Sequence, residues 1–205
     1  LPVAKEGKYD FRLVYEVQVK STGELHGDYY TLVDATTGEV LYRQNQVASV
    51  INVTVQGTVT DNGYDSTSYT TALPYVLGDI NGNFLYADSA GLITTTDNST
   101  VSATFSLEGE YARVFRGATA GSPPSFTVNL LPGNDTVNFD NAAFAAEISV
   151  YYHVNRIHDY MKKLTPAGFT NLDYPMEARV DDISQSCNAE YIGSSLIFYT
   201  ENDSC

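Results

Sequence analysis

Few side chains in this sequence could bind a metal ion or transfer a proton. The first candidates are the three histidines, His26, His153 and His158. His153 and His158 lie five residues apart in a stretch with helical periodicity. At about 100° per residue, they would sit about 140° apart around a helix axis, so one zinc ion is not easily held by both. A zinc-binding helix of the HExxH type needs histidines four residues apart, and this motif is absent from the sequence. We therefore expect structural hydrogen bonds for both, and for His26, and we predict no catalytic residue and no metal ligand in this chain.

Other patterns that support catalysis are also missing. The sequence contains no GxSxG motif and no Gly-rich phosphate loop after a strand. His158 and Asp159 are adjacent, and neighbours along a helix do not face each other. Asn155 and Asp159 do share a helix face, which predicts a tertiary hydrogen-bond network there. The paired carboxylates Asp181 and Asp182 are expected in a solvated loop.

The segment GDINGNF resembles a calcium loop only in part. Asp79, Asn81 and Asn83 match the first three liganding positions of an EF-hand loop. Gly82 stands one place too early, and Ala90 occupies the twelfth position, where a glutamate is required. The segment therefore predicts a β-turn, and calcium binding by other acidic loops remains a second interpretation of the composition.

Charge excludes two classes of partner. The 205 residues include 25 acidic and 11 basic side chains, which gives a formal net charge of −14. Such a chain repels phosphate backbones and anionic membranes, so we expect no nucleic-acid partner. No apolar run is long enough to cross a bilayer, so we expect no membrane insertion.

Two cysteines indicate the compartment. Cys187 and Cys205 flank a segment with the pattern of a hairpin, and a disulfide between them would contribute about 3 kcal/mol. Disulfides form in exported proteins, so a secreted or extracellular location is expected. The alternative is two buried free thiols. The chain starts at Leu1-Pro2 without an initiator methionine or a signal peptide, and we expect it to have been trimmed at this end.

The predicted fold is mainly β with one long helix. Alternating apolar residues in 9–43 predict a small antiparallel sheet with one buried face, made of Phe11, Leu13, Tyr15, Val17 and Val19. Short apolar segments divided by Gly-, Asn- and Asp-rich turns predict a β-sandwich in residues 51–130.

One segment changes from strand to helix periodicity. Apolar residues spaced by three and four predict a helix over 140–164, capped by Asp140 or alternatively by Asn138. Two apolar stripes run along this segment, which predicts that the helix packs on more than one side. A strand and a β-hairpin are expected to follow it.

Three segments then carry a resemblance to a known family. The helix HVNRIHDYMKKL resembles the long helix at the start of the catalytic unit in thermolysin-like and fungalysin-like zinc metallopeptidases. The segment SCNAEYIGSSLIFYTENDSC resembles the stretch that precedes the zinc helix in those enzymes, and YYTLVDATTGEVLYRQN is similar to the end of their propeptide domain. The three follow one another in the order found in the family.

The resemblance implies a role in substrate binding for three residues. In the family, this segment is an edge strand of the cleft whose backbone pairs with the substrate backbone. Asn188 would hold a main-chain group of the substrate, Ala189 would offer backbone contacts, and Tyr191 matches the second aromatic position. Glu190 departs from the family pattern at the first aromatic position. The alternative for Asn188 is a hairpin residue bonded to its own backbone.

The resemblance also implies a domain organisation. Residues 1–45 would end a propeptide-like β domain, 51–130 would be an inserted β-sandwich, and 138–205 would begin a metallopeptidase catalytic domain. The zinc ligands and the catalytic base would belong to the remainder of the catalytic domain, so the parent enzyme would cleave peptides or proteins while this chain alone would not. The alternatives are a non-catalytic extracellular β protein for binding or assembly, and a propeptide-type protease inhibitor.

Overall fold

The computed structural model describes residues 2–5, 8–21, 27–45, 50–61, 67–97, 99–117 and 121–202. The chain forms two compact units, Leu1–Ser49 and Val50–Cys205, which we describe separately.

The Leu1–Ser49 unit contains a hairpin and a three-stranded sheet. The hairpin joins β1 (Pro2–Lys5) to β2 (Lys8–Phe11), and the sheet has the order β3-β4-β5. The strands of the sheet are β3 (Val14–Ser21), β4 (Gly27–Asp34) and β5 (Val40–Asn45). Buried Asp34 fixes the turn between β4 and β5, because its Oδ1 accepts the backbone N–H groups of Thr36 and Thr37.

The predicted buried face of this sheet is exposed in the structure. Side chains from Phe11 to Val19 that alternate along the chain are between 39% and 78% exposed. Three strands have no second layer of their own to cover an apolar face, and period-2 alternation specifies a face but not its cover. His26 lies outside the described residues.

The Val50–Cys205 unit contains twelve of the described strands and one α-helix. Their bounds in chain order are β6 Ile51–Val59, β7 Tyr69–Ala72, β8 Val76–Ile80, β9 Asn83–Tyr86, β10 Leu92–Thr95, β11 Val101–Gly109, β12 Ala112–Arg116, β13 Ser125–Leu130, β14 Gly133–Asn138, α1 Ala145–Leu164, β15 Met176–Ser186, β16 Ala189–Ile192 and β17 Ser195–Thr200.

These strands form a four-stranded and an eight-stranded sheet. In the smaller sheet, β6 pairs parallel with β14 and antiparallel with β10 and β7. The larger sheet runs β16-β17-β15-β12-β11-β8-β9, with β13 also paired to β11, and it curls into a half-barrel. The pairs β12–β15 and β15–β17 are parallel. The predicted fold class, mainly β with one helix, is confirmed.

One core lies between the two sheets and the helix. Every second residue of β6 and of β11 is buried in it, as expected for strands with one apolar face. The core also contains Val137, Ile148, Tyr151 and Ala178 from the later part of the chain. Residues 51–130 and 138–205, which the sequence analysis separates, thus pack around a common core because β12 and β15 join them in one sheet.

The helix begins five residues later than predicted. Phe139–Asn141 form a 3-10 turn capped by the Asn138 side chain, which accepts the Asp140 N–H at 2.8 Å. The Asp140 carboxylate instead accepts the N–H and the hydroxyl of Thr58, both at 2.7 Å. The first turn of α1 is closed by Glu147, whose Oε2 accepts the Phe144 N–H at 2.8 Å.

Two further expectations concern acidic segments. The segment with Asp79 does form a turn, in which Asn81 and Gly82 join β8 to β9 with φ of 54° and 80°. Asp181 and Asp182 do not lie in a loop but within β15. There Asp181 pairs with Arg116 at 2.8 Å, and buried Asp182 accepts the Ser184 N–H, so neighbouring strands and turns satisfy both carboxylates.

Candidate functional site

An apolar groove lies between α1 and the β16–β17 hairpin. It encloses a cavity of about 260 Å³, and Leu196 of β17 faces residues of the helix across it. The other wall is formed by the loop between α1 and β15. The lining residues are Tyr111, Val154, Ile157, His158, Met161, Leu172, Tyr174, Met176 and Leu196. Of the two segments that carry the family resemblance, the helix thus contributes four residues to this groove and the hairpin contributes Leu196.

The C-terminal half of α1 leaves apolar side chains uncovered beside this groove. Ile157, Tyr160 and Leu164 are each more than 60% exposed, whereas Ile148 and Tyr151 in the first half are buried. The predicted packing on more than one side therefore holds only for the first half of the helix. The apolar helix residues that belong to the core or pack against it lie between positions 148 and 154.

A polar cluster closes one end of the groove around His158. The side chain of His158 is only 9% exposed, and its Nδ1 and Nε2 lie 3.2 Å from Asp159 Oδ1 and from Asp173 Oδ1. The Tyr111 ring stacks on the imidazole with ring centroids 3.6 Å apart. Contrary to the sequence analysis, the adjacent residues His158 and Asp159 contact each other.

Two tyrosines supply neutral hydroxyls to this cluster. The Tyr75 hydroxyl donates to Asp159 at 2.9 Å, and the Tyr75 ring packs edge-on against Tyr111. Burial, followed by the hydrogen bond to Asp159, raises the pKa of Tyr75. Burial, followed by neighbouring Glu110, raises the pKa of Tyr111 to about 12. Both hydroxyls therefore keep their protons at neutral pH and act as hydrogen-bond donors, not as bases.

Lys162 ties the loop after the helix to the cluster. Its Nζ donates to Asp173 Oδ2 at 2.8 Å and also to the backbone carbonyl of Phe169. The hydrogen bonds from Lys162 and from His158 lower the pKa of Asp173. Asp173 is thus the anionic link between α1 and the loop that forms one wall of the groove.

Replacing this carboxylate is expected to change the acid limb of stability. The folded pKa of Asp173 lies below its unfolded value, so its contribution is fully present above about pH 4 and is lost as the pH falls through the folded pKa. We expect Asp173→Asn to lower the free energy of unfolding at neutral pH, and the difference from the unmodified chain to shrink as the pH falls from about 5 to about 2. Urea unfolding across that range measures it.

A constant difference at every pH would contradict this role for Asp173. Asp135→Asn is the matched control, because Asp135 accepts a backbone N–H and has no cation partner among the described residues. Its free energy of unfolding, measured over the same pH range, gives the effect of an Asp-to-Asn change that removes no ion pair.

His153 belongs to a different part of the helix. Its Nε2 lies 2.7 Å from the backbone carbonyl oxygen of Thr60, so the two helical histidines bond to separate partners. On the helix face that Asn155 and Asp159 share, Asp159 accepts the tertiary hydrogen bond from Tyr75, whereas Asn155 donates to the carbonyl of Tyr151 within the helix. Across the described ranges, no three His, Cys, Asp or Glu side chains lie close enough together to hold a metal ion.

The predicted substrate strand lies at one edge of the eight-stranded sheet. β16 pairs with β17 and has no second strand neighbour in the described part of the chain. Asn188 and Ala189 are exposed and do not line the cavity, and the Asn188 carbonyl accepts the Tyr199 N–H at 3.0 Å. Tyr191 does not line the cavity either, but it neighbours Tyr174 of the groove wall, and burial, followed by the nearby Tyr191 hydroxyl, raises the pKa of Tyr174.

The predicted disulfide stays a prediction. Cys187 follows β15 with a φ of 56°, and its N–H donates to the Thr200 carbonyl at 2.9 Å. Cys205 lies outside the described residues.

Three members of the polar cluster could not be found from the sequence. Tyr75, Tyr111 and Asp173 come from three separate connections and have no spacing in common with His158. Only His158 and Asp159 gave a signal, as an adjacent acid and base. The residues of the cluster come together because β11 and β12 pack against α1.

Comparisons of the chain with protein-family models, with curated proteins and with solved structures found no match. No helix among the described residues combines the length and the apolar character needed to cross a membrane.

Proposed function

We propose that this chain is a portion of a secreted, zinc-dependent endopeptidase of the thermolysin-like or fungalysin-like kind, and that it forms one edge of the peptide-binding cleft. The observation that carries the proposal is the groove lined by α1 and by Leu196 of the β16–β17 hairpin, whose strand β16 is the outer strand of its sheet. A strand without a second neighbour presents backbone N–H and C=O groups to which an extended peptide can add.

The chemistry of cleavage is assigned to the remainder of the catalytic domain. Zinc would polarise the scissile carbonyl and activate a water molecule. The part that we propose for this chain is to bind and orient the peptide. Tyr191 and Tyr174 would contact substrate side chains, and Asn188 at the start of β16 would hold a main-chain group.

The exposed half of α1 supports this division of labour. Ile157, Met161 and Leu164 form an apolar stripe along the groove. A stripe of this kind on a folded domain marks a contact surface. The remainder of the catalytic domain would cover it and complete the second wall of the cleft.

The first test compares this chain with the longer product of its reading frame. The residues that follow Cys205 should contain HExxH, and the longer protein should bind zinc stoichiometrically and cleave casein. The 205-residue chain should do neither. A reading frame without the motif, or an extended protein without protease activity, would refute the proposal.

The second test addresses the edge strand in the extended protein. Asn188→Ala is expected to lower kcat/KM for a peptide substrate by roughly tenfold to a hundredfold. The reason is that the variant loses one hydrogen bond to the substrate backbone. Asn129→Ala is the matched control, since Asn129 is an exposed strand residue outside the groove. Equal activity of the two variants would remove Asn188 from the substrate site.

The alternative of an assembly protein is favoured by the exposed apolar face of the β3-β4-β5 sheet. Light scattering separates the two interpretations. An assembly protein should form concentration-dependent oligomers as a 205-residue chain and should gain no protease activity on extension.

A further inference from the structure

A second pocket, of about 330 Å³, lies on the face of the eight-stranded sheet that points away from the core. In β8, Val76, Gly78 and Ile80 are buried in the core, whereas Leu77 and Asp79 between them line this pocket. Because side chains alternate along a strand, this pocket lies on the side of β8 that is opposite the core. Its volume is near the lower end of ligand pockets, about 300–1,000 Å³.

Two residues that line this pocket each have a polar atom without a hydrogen-bond partner among the described residues. Asp79 Oδ1 and Arg113 Nε are fully buried, and neither has a hydrogen-bond partner among the described residues. The nearest charge to Arg113 Nε is Glu108 Oε1 at 3.8 Å, which is beyond hydrogen-bond distance. An unpaired buried donor or acceptor costs about 1–3 kcal/mol. Both atoms are closed to solvent, so a ligand in the pocket would contact other atoms of these two side chains.

An aromatic side chain borders the same pocket. Phe84 of the outer strand β9 stands opposite Asp79 in the β8–β9 pairing and is 71% exposed. Tyr86, two residues further along the same face, is 51% exposed. Both rings are held on a strand and leave their faces open to solvent, which suits them as a flat platform for an apolar ligand surface.

The charges around the pocket define the class of ligand. The carboxylates of Asp79 and Glu108 oppose an anion, and the Arg113 guanidinium, whose Nε lies 3.8 Å from Glu108 Oε1, opposes a cation. A neutral ligand rich in hydroxyl groups fits, since a hydroxyl both donates and accepts. Ser106 adds a further hydroxyl to the lining.

We propose that this pocket binds a neutral saccharide. Hydroxyl groups of the sugar donate to the carboxylates of Asp79 and Glu108, which line the pocket, and the C–H face of the ring rests on Phe84. The site is distinct from the cleft proposed above, and it would hold the protein on a polysaccharide without taking part in peptide cleavage.

Affinity electrophoresis of the 205-residue chain tests the proposal, with laminarin, dextran, soluble starch and galactomannan as neutral probes. Alginate and heparin serve as acidic probes. We expect retardation by at least one neutral polysaccharide, weakened about tenfold or more by Phe84→Ala and by Asp79→Asn. Leu131→Ala is the control, because Leu131 is 60% exposed and lies outside the pocket.

Three results would overturn the proposal. They are no retardation by any neutral probe, retardation by the acidic probes alone, and retardation that both variants leave unchanged. Circular dichroism melting checks the fold of each variant. If Asp79→Asn lowers the melting temperature, Phe84→Ala decides the question, since that side chain is exposed.

Discussion

Gly109→Ala is expected to destabilise the Val50–Cys205 unit by about 3 kcal/mol, an upper-range cost for adding one methyl group to a packed core. A Cβ atom at Gly109 would collide with the Tyr151 hydroxyl and with the backbone carbonyl of Tyr75. Neither can move away easily. Tyr151 is fully buried and its hydroxyl donates to the Pro74 carbonyl at 3.1 Å, so the side chain and the backbone at residues 74 and 75 hold each other in place.

The collision should also reach the groove. Tyr75 donates to Asp159, and a shift of its backbone would pull the hydroxyl away from the cluster around His158. Urea unfolding measures the loss of stability. Gly82→Ala is the control: its φ is 80° and a Cβ there meets nothing within 4 Å, so only about 1 kcal/mol of backbone strain is expected. Equal costs for both variants would mean that Gly109 is not in close contact.

Phe105→Ala is expected to cost about 4 kcal/mol, the middle of the range for removing a buried aromatic ring. Phe105 lies at the centre of β11, is fully buried, and packs against Phe126 with ring centroids 5.7 Å apart. On its other side, it fills the space left by Gly78 in β8. Removal of the ring would leave a cavity where β8, β11 and β13 meet, and these strands cannot close it while their ladders remain paired.

Phe84→Ala provides the matched control for this measurement. The two residues have the same side chain, but Phe84 is 71% exposed, and its loss should change the free energy of unfolding by no more than about 0.5 kcal/mol. Denaturant unfolding of both variants under one set of conditions decides the matter. A small cost for Phe105→Ala would contradict the common core between the two sheets.

The same pair of variants links stability to the proposed sites. Because Phe84→Ala should leave the fold intact, any loss of saccharide binding in that variant can be attributed to the pocket. The groove and the pocket lie on different faces of one sheet, so substitutions in one should not alter binding at the other. An extended protein in which Phe84→Ala keeps full protease activity would agree with two independent sites.

Local features of the fold could be predicted from the sequence. Alternation in Ile51–Val59 gives a strand with one buried face, and the spacing of apolar residues gives a helix that ends at Leu164. Asn81 and Gly82 form the expected turn because both tolerate positive φ. The start of the helix was predicted too early, because Asn138 caps a 3-10 turn instead of the helix.

Much less of the candidate site could be predicted. The sequence pointed to α1 and to the hairpin, and the structure places both beside one groove. The sequence did not indicate Tyr75 or Tyr111, and of the two residues expected in a tertiary network, Asp159 bonds to Tyr75 while Asn155 bonds within the helix. The contacts of Asp159 with Tyr75 and of His158 with Tyr111 join residues about 50 to 85 positions apart in the sequence. The packing of whole strands brings these residues together.

The sequence by itself thus determined which segments are strands, which is the helix, and which side of each is apolar, because backbone conformation and side-chain alternation depend on near neighbours. Only the tertiary structure decided which apolar sides are covered. The face of the β3-β4-β5 sheet and the C-terminal half of α1 are both apolar and both exposed, while β6 and β11 are covered. The difference arises because covering a face requires a second layer, and that layer comes from distant parts of the chain.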